Sequence, residues 1–238
     1  MHRLLPENPG IQSSIAEGEV VSRRSFGRVL HKHFKPRVVC QTCNNTWMSR
    51  METAVKPTLL PLMLREARHL TREDQVTLTT WALLKNMVAE FSDPTTRATG
   101  PADFDRMRDR QLPPARAVAW IGEHVGSEWS TRYRHHGMRI AHGPVKPCDE
   151  PPLNGHATTI GVGCVVFHIL MLPEGFLYDG PPLPTGRIAT RIKQIHPKPS
   201  PFDWPLSAKL TDADTLDLGD TMTHVYKGLV ERPLAQRA

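Results

Sequence analysis

The sequence contains only four cysteines and no long apolar run, and both absences narrow the class of protein. The cysteines, at positions 40, 43, 148 and 164, are too few and too unevenly spaced for the disulfide framework of a small secreted protein, so we expect a reducing, cytoplasmic setting. The most apolar stretch, residues 160–172, is shorter than a membrane span and is interrupted by two glycines and a histidine. Because the amino terminus also has no apolar signal core, we expect no membrane segment.

A low-complexity linker is absent as well, because the 22 prolines and 16 glycines are spread along the chain. The length of 238 residues and the 39% content of hydrophobic residues are sufficient for one large domain or two small ones. Lys and Arg together number 30 and Asp and Glu number 24, which gives a net charge of +6. This excess favours a polyanion such as nucleic acid as a partner, although a basic surface without a partner has the same charge.

The clearest helical signal lies between residues 71 and 91. Thr71 followed by Asp74 is typical of a helix start with a side-chain cap and an acidic first turn. The apolar stripe that follows consists of Val76, Leu83, Leu84, Met87, Val88 and Phe91. Pro94 and Gly100 then predict that the helix has ended.

A second helical pattern begins at Asn44. The apolar residues that recur there at four-residue spacing are Trp47, Met51, Val55 and Leu59. Pro57 interrupts the pattern, so we expect two helices rather than one. Short extended patterns at residues 20–21 and 25–30 predict a small β-element before the cysteines, and residues 101–110 predict a short charged helix.

Beyond residue 111 the pattern changes to strands. A strand with one basic face is predicted where Trp129, Thr131 and Tyr133 alternate with Arg132, Arg134 and His136. That face is a candidate contact for an anion, but we favour a solvated sheet surface. Residues 158–172, rich in valine and isoleucine, predict a central strand or a pair of strands. Residues 187–195 predict another strand, with Ile188 and Ile192 on one side, whereas residues 211–230 suit either a short helix or irregular structure.

These patterns predict an α+β fold in which helices are followed by a mixed or antiparallel β-region. The change from helical to strand periodicity falls near residues 95–112, and the sequence shows no internal repeat. We therefore divide the chain into residues 1–56 with the cysteine pair, a helical region at 57–110 and an α+β region at 111–238.

Cys40 and Cys43 form a Cys-x-x-Cys pair just before a predicted helix, and this pair is the most informative feature of the chain. Such a pair can be redox-active, can supply half of a tetrahedral metal site, or can be two unrelated buried thiols. The redox interpretation needs a strand and crossover context that the polar segment before Cys40 does not supply. Because a helix amino terminus favours negative thiolates, the sequence favours metal binding, with zinc as the expected ion.

The segment 39–52, which reads VCQTCNNTWMSRME, resembles the carboxyl-terminal half of the treble-clef finger in HNH-endonuclease-like proteins of bacteria and phages. In that group a Cys-x-x-Cys-Asn-Asn turn leads into a helix that begins with Trp-Met-Ser. Weaker similarity extends to Lys56-Pro57, to the 75–90 helix with Trp81, and to residues 194–197 and 204–205. Only the cysteine segment is a specific motif.

The resemblance implies an incomplete treble-clef module of the ββα-metal type in residues 1–56, and metal-dependent hydrolysis of DNA phosphodiester bonds. It implies Cys40 and Cys43 as ligands of a structural Zn²⁺, Asn44 as a contact to a catalytic Mg²⁺ or Mn²⁺ or to phosphate, and His2 as the general base. Members of the group also have an earlier Cys-x-x-Cys and an acidic residue beside the histidine. Neither is present here, where only His2 with Pro6 matches the histidine segment, so we expect a truncated or degenerate finger.

Other interpretations of the same residues stay open. The chain can be a non-catalytic, zinc-dependent nucleic-acid-binding or interaction protein, or a structural domain without metal. His31 and His33 could complete a Cys2His2 site, but alternating residues of a strand point to opposite faces, which favours solvated basic residues. We expect Cys148 and Cys164 to belong to the last region, with Cys164 in the core. The tryptophans that could stack on bases, but that we expect in the core, are Trp81, Trp120 and Trp204.

Overall fold

The structure, a computed structural model, describes ten stretches of the chain. They are residues 10–16, 19–26, 38–91, 94–114, 116–127, 133–140, 152–173, 177–178, 186–220 and 229–230. The helices are α1 (Gln41–Cys43), α2 (Ser49–Met63), α3 (Arg72–Glu90), α4 (Pro101–Arg110) and α5 (Asp212–Asp220). The strands are β1 (Gly10–Ala16), β2 (Glu19–Phe26), β3 (Arg68–Leu70), β4 (Ala117–Glu123), β5 (Tyr133–Met138), β6 (Gly155–Val162), β7 (Val165–Met171), β8 (Leu177–Tyr178), β9 (Ile192–His196), β10 (Phe202–Trp204) and β11 (Leu229–Val230).

Seven strands form one mixed sheet in the order β2-β1-β5-β6-β7-β4-β9. Strands β1 and β5 are parallel, and every other neighbouring pair in this sheet is antiparallel. The pair of strands expected within residues 158–172 consists of β6 and β7, which turn at Gly163 with a φ of +62° that glycine adopts without strain. The α+β class and the mixed β-region are confirmed.

The middle of the sheet is buried on both faces, so alternate residues of one strand enter two different cores. In β4, Ala119 and Ile121 join the core beneath α2 and α3, whereas Val118 and Trp120 join the core on the opposite face. The second core also contains Leu218 of α5. Burial on both faces explains the nearly continuous apolar sequence of β4 and β7.

The prediction of a solvated, basic face on β5 is wrong for the part of that strand that the structure describes. Arg134 is only 8% exposed and His136 only 5%. Helix α5 packs against β5, β6 and β7 on this face, and His136 Nε2 hydrogen-bonds to the Gly219 carbonyl oxygen. The other predicted members of that strand, Trp129, Thr131 and Arg132, lie outside the described residues.

Helix α2 is continuous through Pro57 and Pro61, so the predicted division at Pro57 is wrong. Pro61 has no N–H to donate to the carbonyl oxygen of Pro57, four residues earlier. Arg68 Nη1 donates to that oxygen instead, at 2.9 Å. The helix also buries an apolar stripe that includes Val55 and Leu59, and this packing offsets the cost of the prolines.

Helix α3 begins at the predicted place, with a complete capping box. Thr71 Oγ1 accepts the Asp74 N–H, and the Asp74 carboxylate accepts the Thr71 N–H, each at 3.1 Å. Helix α4 coincides with the predicted charged helix at residues 101–110. No helix in the described ranges combines the length and the apolar character that a membrane span needs.

The carboxyl-terminal predictions are confirmed in part. Strand β9 begins only at Ile192, and Ile188 belongs to a 3₁₀ turn before it, but both side chains pack into the same core. Within residues 211–230 the structure has helix α5 and the short strand β11. The core beneath α2 and α3 contains residues from all three predicted regions, such as Met51, Leu83 and Phe167.

Candidate functional site

The cysteine pair lies at the amino-terminal end of a helical run that continues through α1, a π-helical turn (Asn44–Met48) and α2. Cys40 is the capping residue, with extended backbone angles of φ −64° and ψ 152°. Its Sγ accepts the Cys43 N–H at 3.3 Å. Cys40 is exposed and Cys43 is half-buried. Both thiols therefore belong to one turn at the start of a helix, as the sequence predicted.

The helix end favours the thiolate form of Cys40. The hydrogen bond from the Cys43 amide is the main reason why the pKa of the Cys40 thiol is lowered from its usual value. A thiolate is the form that binds metal, so the lowered pKa suits a ligand. Asn44 follows on the same turn and is exposed, and its side-chain N–H donates to Asn45 Oδ1 at 3.2 Å.

An apolar groove of about 440 Å³ borders this turn. Its lining includes Cys43 and Trp47 from the turn, Met87 from α3 and Phe104 from α4. Arg97 lines the same groove, with its guanidinium 5.1 Å from the centre of the Phe91 ring. The other charged side chains of the groove, Asp105 and Arg108, form an ion pair at 3.2 Å.

The structure does not bring together a complete set of zinc ligands around Cys40 and Cys43 within the residues that it describes. In that part of the chain, the only group of three or more ligating side chains is Glu90, His135 and His156. The predicted residues His2, His31, His33 and Cys148 lie outside the described ranges.

The residues that we assigned to the core are confirmed there. Cys164 is 7% exposed and its Sγ donates to the Leu62 carbonyl oxygen at 3.2 Å. The tryptophans at positions 81, 120 and 204 are between 1% and 4% exposed. None of these three side chains is accessible for stacking on a base.

A second polar group, which the sequence interpretation missed, is buried between α3 and the sheet. Asn86 and Glu90 project from α3, His135 comes from β5, and His156 and Thr158 come from β6. Each of these five side chains is at most 1% exposed. His135 is paired with Thr158 across the two strands, so both point to the face that α3 covers.

Gly137 allows the 94–99 segment to lie close to the sheet beside this cluster. Gly137 is paired with His156, and a Cβ at Gly137 would lie 2.7 Å from the Thr96 carbonyl oxygen. The missing side chain therefore lets the 94–99 segment approach the sheet, where the Thr96 carbonyl oxygen accepts from His135 Nε2 at 2.9 Å.

Glu90 accepts four hydrogen bonds in this cluster. The backbone N–H groups of Ala98 and Thr99 donate to Oε2, each at 2.9 Å, and Thr99 Oγ1 and Asn86 Nδ2 donate to Oε1 at 2.7 and 2.8 Å. Burial raises the pKa of the Glu90 carboxyl, but the histidines His156 and His135 and the bonds from Thr99 outweigh it and leave the pKa lowered. Because both oxygens accept two bonds each, the geometry is that of a carboxylate inside the core.

The two histidines are ordered by Thr158 and Asn86. Thr158 Oγ1 lies 2.8 Å from His135 Nδ1 and 3.2 Å from His156 Nδ1, and Asn86 Nδ2 lies 3.1 Å from His156 Nε2. Because a carbonyl oxygen only accepts, His135 carries its proton on Nε2, and Thr158 then donates to Nδ1. Thr158 in turn accepts from His156 Nδ1, which leaves His156 Nε2 without a proton. Burial is the main cause that lowers the pKa of His156 to about 4, so its ring is neutral at pH 7.

One ligand atom from each of Glu90, His135 and His156 lies within 4.8 Å of the others. Two imidazole nitrogens and a carboxylate can hold a divalent transition metal, and they can equally form a hydrogen-bonded polar core. The sequence contains a signal for the two cluster residues of α3, because Asn86 and Glu90 follow Leu83 at helical spacing on the apolar face of that helix. The histidines carried no such signal.

No protein-family model, curated protein sequence or solved structure matches this chain.

Proposed function

We propose that the chain is an HNH-like, metal-dependent endonuclease that hydrolyses DNA phosphodiester bonds, with Cys40 and Cys43 as two ligands of a structural zinc. The observation that carries the proposal is the exposed turn on which both thiols and the Asn44 carboxamide lie together at a helix amino terminus. The antiparallel hairpin β1–β2 precedes this helix, which is the element order of a ββα module. The net charge of +6 and the Arg97 guanidinium beside the turn favour a polyanionic substrate.

The residues have separate roles in this proposal. Cys40 and Cys43 fix the start of the helix on the zinc, and the helix presents Asn44 to a phosphate oxygen. His2 takes the proton from the attacking water. A bound Mg²⁺ or Mn²⁺ supplies stabilisation of the negative charge that develops on the phosphate.

A second candidate is a non-catalytic, zinc-dependent DNA-binding protein. It is favoured by the absence of histidine among the described residues of the turn and of the groove. Asn44, Arg97 and the zinc ligands are sufficient for binding phosphate, whereas hydrolysis needs a base from elsewhere in the chain.

We expect the purified chain to contain zinc that depends on the cysteine pair. Replacing both residues, Cys40→Ser with Cys43→Ser, removes the thiolates and is expected to remove about one equivalent of zinc per chain, measured by elemental analysis. Cys164→Ala is the matched control, because Cys164 is buried away from the turn and should leave the zinc content unchanged. An unchanged zinc content in the double variant would show that the pair is not a zinc site.

We expect the chain to cleave DNA in the presence of magnesium or manganese, and expect His2→Ala or Asn44→Ala to lower the rate by about a hundredfold or more. The measurement is conversion of supercoiled plasmid to nicked and linear forms. Gln41→Ala, an exposed change on the same turn, is the control and should retain the native rate. DNA that stays intact with either metal contradicts the nuclease, and binding that weakens as salt rises would then support the second candidate.

A further inference from the structure

The Glu90 carboxylate is a buried anion without a lysine or arginine partner in the part of the chain that the structure describes. It is 1% exposed, and the only side chain within ion-pair distance of it there is the neutral His156 ring, at 3.5 Å. Arg116, the nearby arginine, is paired with Asp103 instead. An ionised carboxylate in a core is costly unless a cation or a metal ion balances its charge. The hydrogen bonds to Glu90 satisfy its oxygens but bring no formal positive charge.

We infer that Glu90, His135 and His156, with Asn86, form a buried binding site for a divalent transition-metal ion, separate from the cysteine turn. The distances between neighbouring polar atoms support this. Glu90 Oε1 lies 3.5 Å from His156 Nε2, and the Asn86 amide nitrogen lies 2.8 Å from the first atom and 3.1 Å from the second. In a tetrahedral site with metal–ligand distances of about 2.1 Å, the ligand atoms are roughly 3.4 Å apart. The separation of Glu90 Oε1 and His156 Nε2 matches this spacing, whereas the two shorter distances are those of hydrogen bonds from the Asn86 amide.

Asn86 can contribute an oxygen to this site without moving its backbone. Rotation of the side-chain amide by half a turn exchanges Oδ1 and Nδ2, which have nearly the same size. Oδ1 then faces Glu90 and His156. The Tyr133 hydroxyl, which donates to Asn86 Oδ1 at 2.9 Å, then accepts from Nδ2 instead. His135 completes the set, because its ligand atom lies within 4.8 Å of those of Glu90 and His156.

The hydrogen bonds around the cluster are those that orient metal ligands. A ligating histidine usually donates its other ring N–H to a carbonyl or to another fixed acceptor. His135 donates from Nε2 to the Thr96 carbonyl oxygen, and His156 donates from Nδ1 to Thr158. Glu90 is held in the same way, because its Oε2 accepts the two backbone N–H groups of Ala98 and Thr99. The fold thus fixes one polar atom of each ligand. The atom of His135 that remains for the metal, Nδ1, accepts from Thr158 Oγ1 at 2.8 Å and exchanges that bond for the ion.

The donor set and the burial indicate which ion binds and what it does. Two imidazoles and a carboxylate suit Zn²⁺ or a neighbouring first-row ion, whereas Mg²⁺ and Ca²⁺ prefer oxygen ligands. Each of the three principal ligands is at most 1% exposed, so no substrate reaches the ion. The site is therefore structural, and it ties the carboxyl-terminal end of α3 to β5 and β6.

The first experiment counts metal in the full chain and in the Cys40→Ser, Cys43→Ser double variant, after dialysis against zinc and then against buffer. We expect the double variant to keep one equivalent of zinc. After exchange with cobalt, this variant should show the d–d absorption of a nitrogen and oxygen site without a thiolate-to-cobalt charge-transfer band. A folded double variant without metal overturns the inference. If the native chain binds one zinc and the double variant keeps it, the buried site is supported and the cysteine site is contradicted. The two proposals can therefore fail separately.

If the double variant does not fold, cobalt titration of the native chain decides the question. Two equivalents, one with and one without the thiolate band, support the buried site. Saturation at one equivalent with the thiolate band, or no cobalt bound at all, overturns it.

The second experiment uses Asn86→Asp, which keeps the shape of Asn86 and adds a carboxylate beside Glu90. If these atoms surround a metal, the added charge strengthens binding, and zinc should raise the thermal unfolding midpoint of the variant by roughly 5 °C or more. In a purely hydrogen-bonded core the two adjacent carboxylates only repel each other. All of these chains carry Cys40→Ser and Cys43→Ser, so that zinc at the cysteine turn does not contribute. A midpoint that zinc leaves unchanged both in this background and with Asn86→Asp added would overturn the inference, and His156→Gln in the same background is the control that should lose the response.

Discussion

Replacing Glu90 with alanine is expected to lower the free energy of unfolding by about 3–5 kcal/mol. The change leaves four donors without an acceptor in a region that excludes water: the Ala98 and Thr99 N–H groups, the Thr99 hydroxyl and the Asn86 amide. It also opens a cavity between α3 and β6. The bonds from Ala98 and Thr99 hold the 94–99 segment on α3 with or without a metal, so a loss of this order is expected in either case.

The measurement is equilibrium unfolding in urea at neutral pH. Glu90→Gln should have an intermediate effect, because it keeps the volume of the side chain but turns an N–H group toward some of the donors. Glu66→Ala is the control, since Glu66 is exposed and its removal should change the free energy by at most about 0.5 kcal/mol. A loss below about 1 kcal/mol for Glu90→Ala would be incompatible with a buried carboxylate that accepts four bonds.

Helix α3 and helix α4 were predictable because their signals are local. The Thr71–Asp74 capping box closes within four residues, and Pro101 occupies the first position of α4, where its missing N–H costs nothing. The cysteine turn was predictable for the same reason. Cys40 and Cys43 are three residues apart, and the helix that begins between them fixes their relative position.

The continuity of α2 was not predictable, because it depends on a residue from outside the helix. Pro57 and Pro61 each remove a hydrogen bond that the helix would otherwise form. The compensation comes from Arg68 in β3, whose guanidinium binds the Pro57 carbonyl oxygen. The sequence of residues 44–63 alone does not predict that contact.

The buried cluster was not predictable for a related reason. Its members meet only after β5 and β6 pair in one register and α3 packs across them, and Asn86 and His156 are 70 residues apart. The same register decides the environment of His136, because adjacent residues of a strand face opposite sides. His135 therefore faces α3, whereas His136 faces α5. The alternation of residues along β5 predicts two faces of the strand, but it does not predict that α5 covers the face with His136.

The burial of His136 predicts a loss of stability in acid. Its Nε2 donates to the Gly219 carbonyl oxygen of α5. Burial lowers the pKa of His136 from 6.5 to about 4, with the Gly219 carbonyl opposing the shift and His135 and Arg134 adding to it. Because the folded chain has the lower pKa, the unfolded chain binds the proton more readily. The contribution to stability is complete above pH 6.5 and is lost as the pH falls toward 4, by about 3 kcal/mol in total.

His136→Gln isolates this contribution, because glutamine can donate to the Gly219 carbonyl oxygen but does not titrate. We expect the native chain to lose about 2–3 kcal/mol more than the variant when the pH is lowered from about 7.5 to about 4.5, since only the native chain must bury a proton at this position. The measurement is urea unfolding of both chains at a series of pH values, and subtraction removes the titrations that they share. Parallel curves would mean that His136 is accessible to protons in the folded chain, and hence that α5 does not cover this face of β5 in solution.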